Sequence, residues 1–277
     1  MNVATTVAEL RRFRGVLPEP IGFVPTMGYL HDGHLALARL ARVANRSVVG
    51  SIFVNPLQFG PREDFAAYPR DPERDLRLLE ETGVDLVFVP DGAAIYPAGF
   101  SSTVAVGPIG ERLEGASRPG HFGGVATVVA ILFNLVQPTR AYFGQKDAQQ
   151  CVVVKKLVRD LAFPIEIVVG PTVREPDGVA LSSRNVYLSS TERIAARALS
   201  ASLRKVRQSY DGGERDAVVL RGIVRAMIGA ESLAELDYVS VADAVTLDEL
   251  TSVDRPAVVS LAVRIGRTRL IDNENLL

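Results

Sequence analysis

The sequence has a single cysteine, no tryptophan and only three histidines among its 277 residues. One cysteine cannot form an internal disulfide, which excludes a disulfide-stabilised scaffold. The 31 Lys and Arg residues nearly balance 32 Asp and Glu residues, so a formal net charge of -1 gives no general attraction to nucleic acid or to an anionic membrane. A small anionic ligand would therefore have to be bound by a local basic cluster.

Long apolar runs are also missing. No stretch approaches the roughly 20 consecutive apolar residues of a membrane-spanning helix, and the first residues lack the basic-then-apolar layout of a signal peptide. We therefore expect a cytoplasmic protein with no nucleic acid partner and no membrane partner. With 47% hydrophobic residues, the chain is long enough for one large or two modest cores.

Apolar runs typical of strands alternate with segments of helical periodicity over the first part of the chain. Strands are expected at 20–24, 47–54, 84–89, 140–143 and 165–169, and helices at 5–14, from about 33, and at 72–82, 123–136 and 147–161. Such alternation favours a parallel sheet covered by helices. We predict an α/β fold with a Rossmann-like, doubly wound parallel sheet over residues 1–172.

The pattern changes after Pro171. Helices are expected at 190–209 and 214–228, followed by strands at 237–242, 257–265 and 268–272. Gly266 and Arg267 separate the last two strands, which indicates a hairpin and an antiparallel sheet. Residues 173–277 are therefore predicted to form a smaller C-terminal α+β domain.

Two of the three histidines lie at a predicted strand-to-helix turn, in the sequence Pro25-Thr-Met-Gly-Tyr-Leu-His-Asp-Gly-His34. In an open α/β sheet, the backbone N–H groups and the positive helix end at such a turn face the crevice where nucleotide phosphates bind. His31 and His34 could stabilise charge that develops during attack on an α-phosphorus, and Gly33 would allow a nucleoside to approach closely. Helix capping or surface decoration is the alternative explanation.

A second strand-to-helix turn has the sequence Gly144-Gln-Lys-Asp-Ala-Gln-Gln150. Lys146 could hold a phosphate or carboxylate oxygen, Asp147 could cap the helix and bind ribose, and Gln150 could reach a substrate. A capped, solvent-exposed helix start would explain the same residues.

A third segment, Leu181-Ser-Ser-Arg-Asn185, opens the second domain. Its hydroxyl groups and guanidinium are suited to closing over a triphosphate. The polar and charged residues between Arg174 and Arg184 offer little apolar burial, so we expect a mobile loop. Turn formation alone is the alternative.

Neutral amides follow a buried strand in the sequence Phe53-Val-Asn-Pro-Leu-Gln-Phe59. Asn55 and Gln58 could hold a hydroxyl-bearing acid, whereas a phosphate-bearing substrate would favour a cation there. The sequence Arg118-Pro-Gly-His-Phe122 adds a guanidinium and the third histidine. Cys151 lies in an apolar helical stretch and is expected to be inert packing.

Taken in order, these segments resemble the pantothenate synthetases, also called pantoate-β-alanine ligases, over nearly the whole chain. The resemblance implies a homodimer that requires ATP and Mg²⁺. It also implies the reaction: (R)-pantoate and ATP form pantoyl adenylate with release of pyrophosphate, and β-alanine then displaces AMP. No covalent enzyme nucleophile is needed, because the pantoate carboxylate attacks the phosphorus.

The resemblance further implies roles for individual residues. The catalytic groups would be His31, His34, Lys146, Ser182 and Arg184. The ATP contacts would be Met27, Gly33, His34, Gly144, Lys146, Asp147, Val173, Ser182, Ser183 and Arg184. The pantoate contacts would be Pro25, Met27, Asn55, Gln58 and Gln150. Arg118 and His121 receive no firm role, and the metal ligands stay unassigned.

Three positions depart from the family pattern. Gln145, Ala148 and Leu181 stand where Glu, an aromatic residue and Met are common. The substitutions affect pocket packing and loop mobility, and they leave the phosphate-binding groups intact.

Two other functions stay open from the sequence. One is a nucleotidyltransferase of the same fold that acts on another small acid or on a phosphate ester. Asn55 and Gln58 argue against a phosphate-bearing substrate, which would favour a cation there. The other is an ATP sensor without catalysis, against which the histidine pair, Lys146 and Arg184 argue. A class I aminoacyl-tRNA synthetase is disfavoured because the near-neutral chain has no obvious tRNA-binding surface.

Overall fold

The computed structural model describes residues 1–60 and 65–276. The chain forms two compact units. The first comprises Met1–Gly144 and Val153–Gly170, and the second comprises Gln145–Val152 and Pro171–Leu277.

The first unit contains a parallel sheet with helices in the connections. Its elements and those that connect them are β1 (Asn2–Ala4), α1 (Val7–Arg14), β2 (Ile21–Thr26), α2 (Asp32–Ala44), β3 (Ser47–Ile52), α3 (Pro72–Glu81), β4 (Leu86–Phe88), α4 (Gly92–Ile95), α5 (Glu114–Ser117), α6 (His121–Val136), β5 (Arg140–Gly144), α7 (Ala148–Asp160) and β6 (Glu166–Gly170). The strands pair in the order β1-β4-β3-β2-β5-β6, and all pairs are parallel. The order reverses between β2 and β5, and ligands of doubly wound sheets bind at the carboxyl ends of strands beside such a reversal.

Local sequence explains why these elements form. Every residue of β3 is buried, as expected for a strand covered on both faces. Helix α1 begins with a capping box in which Thr6 and Glu9 satisfy each other's backbone N–H groups. Helix α3 begins with Asp71 as cap and Pro72 in the first turn. The core beside β2 and β3 includes Val24, Leu35, Ala38, Val48, Leu79 and Tyr142.

The second unit contains two helices and an antiparallel sheet. Its remaining elements are α8 (Ser190–Asp211), α9 (Ala217–Gly229), β7 (Ala234–Asp243), β8 (Ala257–Ile265) and β9 (Thr268–Leu276). The strands pair in the order β7-β8-β9, and a hairpin turn at Gly266 and Arg267 joins the last two. The apolar faces of α8 and α9 pack on this sheet around Leu203, Leu220, Val224, Val259 and Leu261.

The predicted fold class is confirmed, and the strands and helices expected from periodicity are present with shifted ends. The sequence missed β1, α4 and α5, since three or four residues are too few to show a period.

The division of the chain differs from the expected boundary at residue 172. The second unit begins at Pro171 and also includes Gln145–Val152. The reason lies in Asn273 on β9, whose Nδ2 donates to the carbonyl oxygens of Gln145 and Lys146, both at 2.9 Å. Residues far apart in sequence are joined by these bonds, so no local pattern could reveal them.

Across the residues that the structure describes, none of the helices combines the length and apolarity needed to cross a membrane.

Candidate active site

The chain turns sharply between β2 and α2, and this turn positions the histidine pair. Gly28 and Tyr29 both have positive φ angles, of 79° and 50°. A Cβ atom on Gly28 would lie 2.9 Å from Ile52 Cγ2 and 3.0 Å from Asp75 Oδ2, so glycine is needed for both conformation and space. The predicted strand-to-helix turn is therefore present.

A buried carboxylate holds this turn. Asp75 on α3 is 1% exposed and accepts hydrogen bonds from the backbone N–H groups of Tyr29 at 2.6 Å and Leu30 at 2.7 Å. Burial raises the pKa of Asp75, against the opposite influence of these two bonds and of Arg74. Sequence analysis missed Asp75. Its one local signal is its position four residues before buried Leu79, on the apolar face of a charged helix.

The two imidazoles of the predicted pair lie together at the N-terminus of α2. His31 is the N-cap residue and His34 the third helical residue. Their rings stack with centroids 4.1 Å apart, and the His31 backbone N–H donates to His34 Nδ1 at 3.4 Å. Gly33 lies between them in the first turn. The arrangement gathers two imidazoles at the positive end of a helix dipole, a setting that favours anions.

The predicted acid-binding amides also lie together, in the first unit. Asn55 and Gln58, which follow β3, are 1% and 8% exposed. Asn55 Nδ2 donates to Gln58 Oε1 at 3.1 Å, and Gln58 Nε2 donates to Met27 Sδ at 2.9 Å. Pro25, in β2, pairs in register with Ser51 of the neighbouring β3.

Helix α6 packs closely against the short 3₁₀ helix that ends at Gln58. A Cβ atom on Gly124 of α6 would lie 2.2 Å from the Leu57 carbonyl oxygen and 2.7 Å from the Gln58 nitrogen, so only glycine fits. The Gly124 carbonyl also accepts a hydrogen bond from Asn55 Nδ2 at 3.1 Å. The apolar helix predicted from the sequence thus shapes the amide cluster directly.

Tyr96 is a member of the amide cluster that sequence analysis missed. Its hydroxyl donates to Asn55 Oδ1 at 2.6 Å. Burial raises the pKa of the Tyr96 phenol, so the group keeps its proton at neutral pH. It follows a single-turn helix in a region rich in glycine and proline, where no periodicity marks it.

Arg118 and His121, which had no firm role from the sequence, hold the backbone of Gln58. His121 Nδ1 donates to the Gln58 carbonyl oxygen at 2.8 Å, and Arg118 Nη2 donates to the same oxygen at 3.3 Å. Arg118 Nη1 lies 3.2 Å from His121 Nε2. Because a carbonyl only accepts and a guanidinium only donates, His121 carries its proton on Nδ1 in this network.

A cavity of about 300 Å³ adjoins the turn and the amide cluster through Met27. Its wall includes Met27, Gly28, Phe53, Arg70, Asp71 and Asp75. All of these residues belong to the first unit, and the volume is within the range of small-molecule sites.

In the second unit, the turn after β5 is fixed by Asn273. Besides the two bonds from Asn273 Nδ2, Gln145 Nε2 donates to Asn273 Oδ1 at 2.9 Å and to Asn275 Oδ1 at 3.0 Å. An ionised Glu at position 145 could not donate these bonds. Lys146 Nζ lies 3.3 Å from Asp147 Oδ1.

The remaining predicted residues of this region are partly exposed or lie in the helix. Gly144 is the last residue of β5, and Gln150 lies in the first turn of α7, half-buried. Cys151 is buried, at 3% exposure.

The segment with Ser182, Ser183 and Arg184 ends in a short 3₁₀ helix, Ser183–Tyr187, which Ser182 caps by accepting from the Arg184 N–H at 3.3 Å. Val173 lies across from it, and its carbonyl accepts from the Leu181 N–H at 3.0 Å.

Ion pairs fasten the preceding part of this segment. Arg174 makes two bonds to Asp272 of β9, at 2.6 and 2.9 Å. Arg193 bonds to Glu175 at 2.7 Å and to both oxygens of Asp177 at 2.7 and 2.8 Å. The hydrogen bonds from Arg193 lower the pKa of Asp177.

Buried apolar side chains also hold this segment in place. Val179 and Ala180 are 5% and 6% exposed. The expectation for this segment considered only its polar and charged residues and did not include the packing of these two apolar ones.

The comparisons with known proteins agree with the motifs. The family model for pantoate-beta-alanine ligase matches residues 2–275. A pantothenate synthetase from Roseiflexus sp. strain RS-1 is 59% identical over 273 residues, which cover 99% of this chain and 98% of that relative. The chain belongs to the pantoate-beta-alanine ligase family. The family predicted from the ordered motifs is thereby confirmed, and the protein is an enzyme of this ligase family.

Solved structures of pantoate-beta-alanine ligases show the same fold. Pantothenate synthetase from Thermus thermophilus matches with a TM-score of 0.94 at 52% identity, with 99% of each chain covered. The ligase from Francisella tularensis, complexed with beta-gamma ATP and beta-alanine, matches with a TM-score of 0.80 at 35% identity over 99% of this chain and 97% of that chain.

Proposed function

We propose that the protein condenses (R)-pantoate with β-alanine to pantothenate, using ATP and proceeding through pantoyl adenylate. The observation that carries this proposal is the placement of two different binding features after neighbouring parallel strands. The histidine pair at the N-terminus of α2 follows β2, and the amides of Asn55 and Gln58 follow β3. The proposed phosphate site and the proposed acid site thus both draw on residues of the first unit, which supports transfer of a nucleotide to a carboxylate.

On the acid side, we assign pantoate to the amide cluster. Gln58 supplies an N–H group for a hydroxyl or carboxylate oxygen, and Met27 supplies an apolar surface for the methyl groups. Pro25, Asn55 and Gln150 complete the set that the family resemblance implies. Neither amide carries a charge that could neutralise a phosphate-bearing substrate.

On the nucleotide side, we assign the triphosphate to charged and hydroxyl groups. The proposed phosphate and adenylate contacts are His31, His34, Lys146, Ser182, Ser183 and Arg184. The proposed nucleoside contacts are Met27, Gly33, Gly144, Asp147 and Val173. The Francisella tularensis ligase that was solved with beta-gamma ATP and beta-alanine supports ATP and β-alanine as ligands.

In the proposed mechanism, the pantoate carboxylate attacks the α-phosphorus and pyrophosphate leaves. The amine of β-alanine then attacks the acyl carbon of the adenylate, and AMP leaves with the bonding electron pair. The protein contributes alignment and neutralisation of the charge that builds up on the phosphate oxygens. A protein nucleophile has no part in either step, which agrees with the burial of Cys151.

We propose that Mg²⁺ accompanies ATP and neutralises phosphate charge. Because Mg²⁺ loses its water reluctantly, phosphate oxygens and water would supply most of its ligands. Within residues 1–60 and 65–276, no cluster of three or more His, Cys, Asp or Glu side chains is suited to a metal ion.

The segment with Ser182 and Arg184 is proposed to close over the triphosphate and protect the adenylate from water. Its base is held by the bonds of Arg174 and Arg193, so closure would involve the short 3₁₀ helix more than the anchored part. A homodimeric state and a cytoplasmic location stay predictions from the sequence.

The proposal is tested by measuring pyrophosphate release without β-alanine. Pantoate with Mg²⁺ and ATP should release pyrophosphate for at least a single turnover, because the adenylate forms before the amine is used. A panel of other hydroxy acids and phosphate esters should give much slower release. Formation of ADP and phosphate would contradict the adenylate, and faster release with another acid would show a different substrate.

A further inference from the structure

The direction of the Asn55 amide is fixed by two backbone groups. The Leu57 N–H can only donate, and its nitrogen lies 3.2 Å from Asn55 Oδ1. The Gly124 carbonyl can only accept, and its oxygen lies 3.1 Å from Asn55 Nδ2. Exchanging the amide oxygen and nitrogen would place donor against donor and acceptor against acceptor. The Asn55 amide therefore has one allowed orientation.

The orientation of the Asn55 amide also sets the orientation of the Gln58 amide. Asn55 Nδ2 donates to the Gln58 oxygen at 3.1 Å, which turns Gln58 Nε2 toward Met27 Sδ at 2.9 Å. An amide nitrogen has two hydrogens, and a thioether sulfur is a weak acceptor. One lone pair of the Gln58 oxygen is thus used by Asn55, and the Gln58 nitrogen keeps an N–H for a ligand.

Tyr96 supports the arrangement from the other side. Asn55 Oδ1 can only accept, so the Tyr96 hydroxyl, 2.6 Å away, must donate to it. The Tyr96 ring is held by Phe53 and Phe100, with ring centroids 6.1 and 4.9 Å away. The hydroxyl is thus presented to Asn55 by a packed aromatic cluster.

The bonds of Asn55 account for all of its hydrogen-bonding capacity. Its oxygen has two lone pairs, which Leu57 and Tyr96 use, and its nitrogen has two hydrogens, which Gln58 and Gly124 use. Asn55 is 1% exposed. Nothing on this side chain is left to bind pantoate directly.

We propose that Tyr96 is a positioning residue for the acid substrate, because it holds Asn55, and through Asn55 holds Gln58 with its N–H toward the ligand. The inference rests on the proposed function and changes the role of Asn55 from pantoate contact to orientation of Gln58. Gln58 then selects a hydrogen-bond acceptor, the hydroxyl or carboxylate oxygen of a hydroxy acid, and disfavours an ammonium group.

The first test is Tyr96→Phe, which keeps the ring and removes the hydroxyl. We expect the Kd for pantoate, measured by calorimetry without ATP, and the KM for pantoate to rise about 3- to 10-fold, the scale of one neutral hydrogen bond. The KM for ATP should stay unchanged. Tyr210→Phe is the matched control, since the buried Tyr210 hydroxyl has no hydrogen-bond partner among the described residues. Equal increases in KM for both substrates, or no increase, would overturn the proposal.

A double-mutant cycle tests whether Tyr96 acts through Gln58. In a Gln58→Ala background, Tyr96→Phe should change pantoate binding by less than about twofold, because the group it positions is gone. If Tyr96→Phe weakens pantoate binding by the same factor in the Gln58→Ala background as in the wild type, Tyr96 acts independently of Gln58, and the proposal is overturned.

A third variant does not depend on the stability of Tyr96→Phe. Asn55→Asp can only accept, so Gln58 must turn its nitrogen toward the new carboxylate and present oxygen to the ligand. We expect pantoate binding to weaken by more than about tenfold, while unchanged binding would contradict the inference. Failure of the wild-type protein to bind pantoate would instead contradict the proposed function, so the two failures are distinguishable.

Discussion

At the residue scale, the charged groups at helix starts have the clearest expected effect on rate. His34 lies at the N-terminus of α2 and Lys146 follows β5. His34→Ala and Lys146→Ala should each slow adenylation about 10²- to 10³-fold, the scale for losing one preorganised donor to developing charge. Single-turnover pyrophosphate release measures this. Lys156→Ala is a matched control, since Lys156 pairs with Asp160 on the surface of α7. Near-normal rates in both site variants would reassign these residues to helix capping.

The sequence identified these residues because each lies in a short segment with its own turn signal. Tyr96 and Asp75 were missed for the opposite reason. Tyr96 contacts Asn55 across 41 positions, and Asp75 contacts Leu30 across 45 positions. Their neighbours in sequence give them no distinguishing pattern, so their roles depend on tertiary contacts that a single sequence does not show.

At the element scale, the join between β2 and α2 depends on a carboxylate from α3. Asp75 accepts two backbone N–H bonds from the turn, and Asp75→Asn leaves one of these donors facing an NH₂ group. An unsatisfied buried donor costs about 1–3 kcal/mol of unfolding free energy. We expect Asp75→Asn to lower the free energy of unfolding by about this amount. The variant should also adenylate pantoate more slowly, because the N-terminus of α2 is held less firmly.

The pH dependence of this loss has a definite sign. Burial raises the pKa of Asp75 above its ordinary value of 3.8, so the folded protein binds more protons than the unfolded chain in the interval between the two values. Wild-type stability from this group therefore falls as pH rises through that interval, and Asn has no such dependence. Urea unfolding of both proteins should show a wild-type advantage that grows as the pH is lowered from neutral toward the ordinary carboxyl value of 3.8. An advantage that shrinks would show that the two amide bonds outweigh burial.

Longer elements could be predicted and short ones could not. Helix α3 was expected at 72–82 and spans Pro72–Glu81, because an aspartate cap, a proline in the first turn and a regular apolar face all agree. Strand β1 has only three residues, Asn2–Ala4, and it exists because its backbone pairs with β4. Pairing of this kind is a tertiary property.

At the scale of the whole molecule, alternation of strands and helices was sufficient for the fold class, since parallel strands need crossover connections. The division into units was less predictable. Asn273 bonds to Gln145 and Lys146 across 128 and 127 positions, and this pairing assigns the start of α7 to the second unit. Composition changes near Pro171 mark the main boundary but carry no information on such long-range bonds.

The central claim is that the acid carboxylate attacks the α-phosphorus of ATP, and isotope transfer tests it most directly. (R)-Pantoate labelled with ¹⁸O in its carboxylate is incubated with the protein, Mg²⁺, ATP and β-alanine, and the products are analysed by mass spectrometry. We expect a single labelled oxygen in AMP and none in pyrophosphate, because the oxygen that bridges carbon and phosphorus leaves with AMP. Label in inorganic phosphate, together with ADP, would show attack on the γ-phosphorus and contradict the adenylate mechanism.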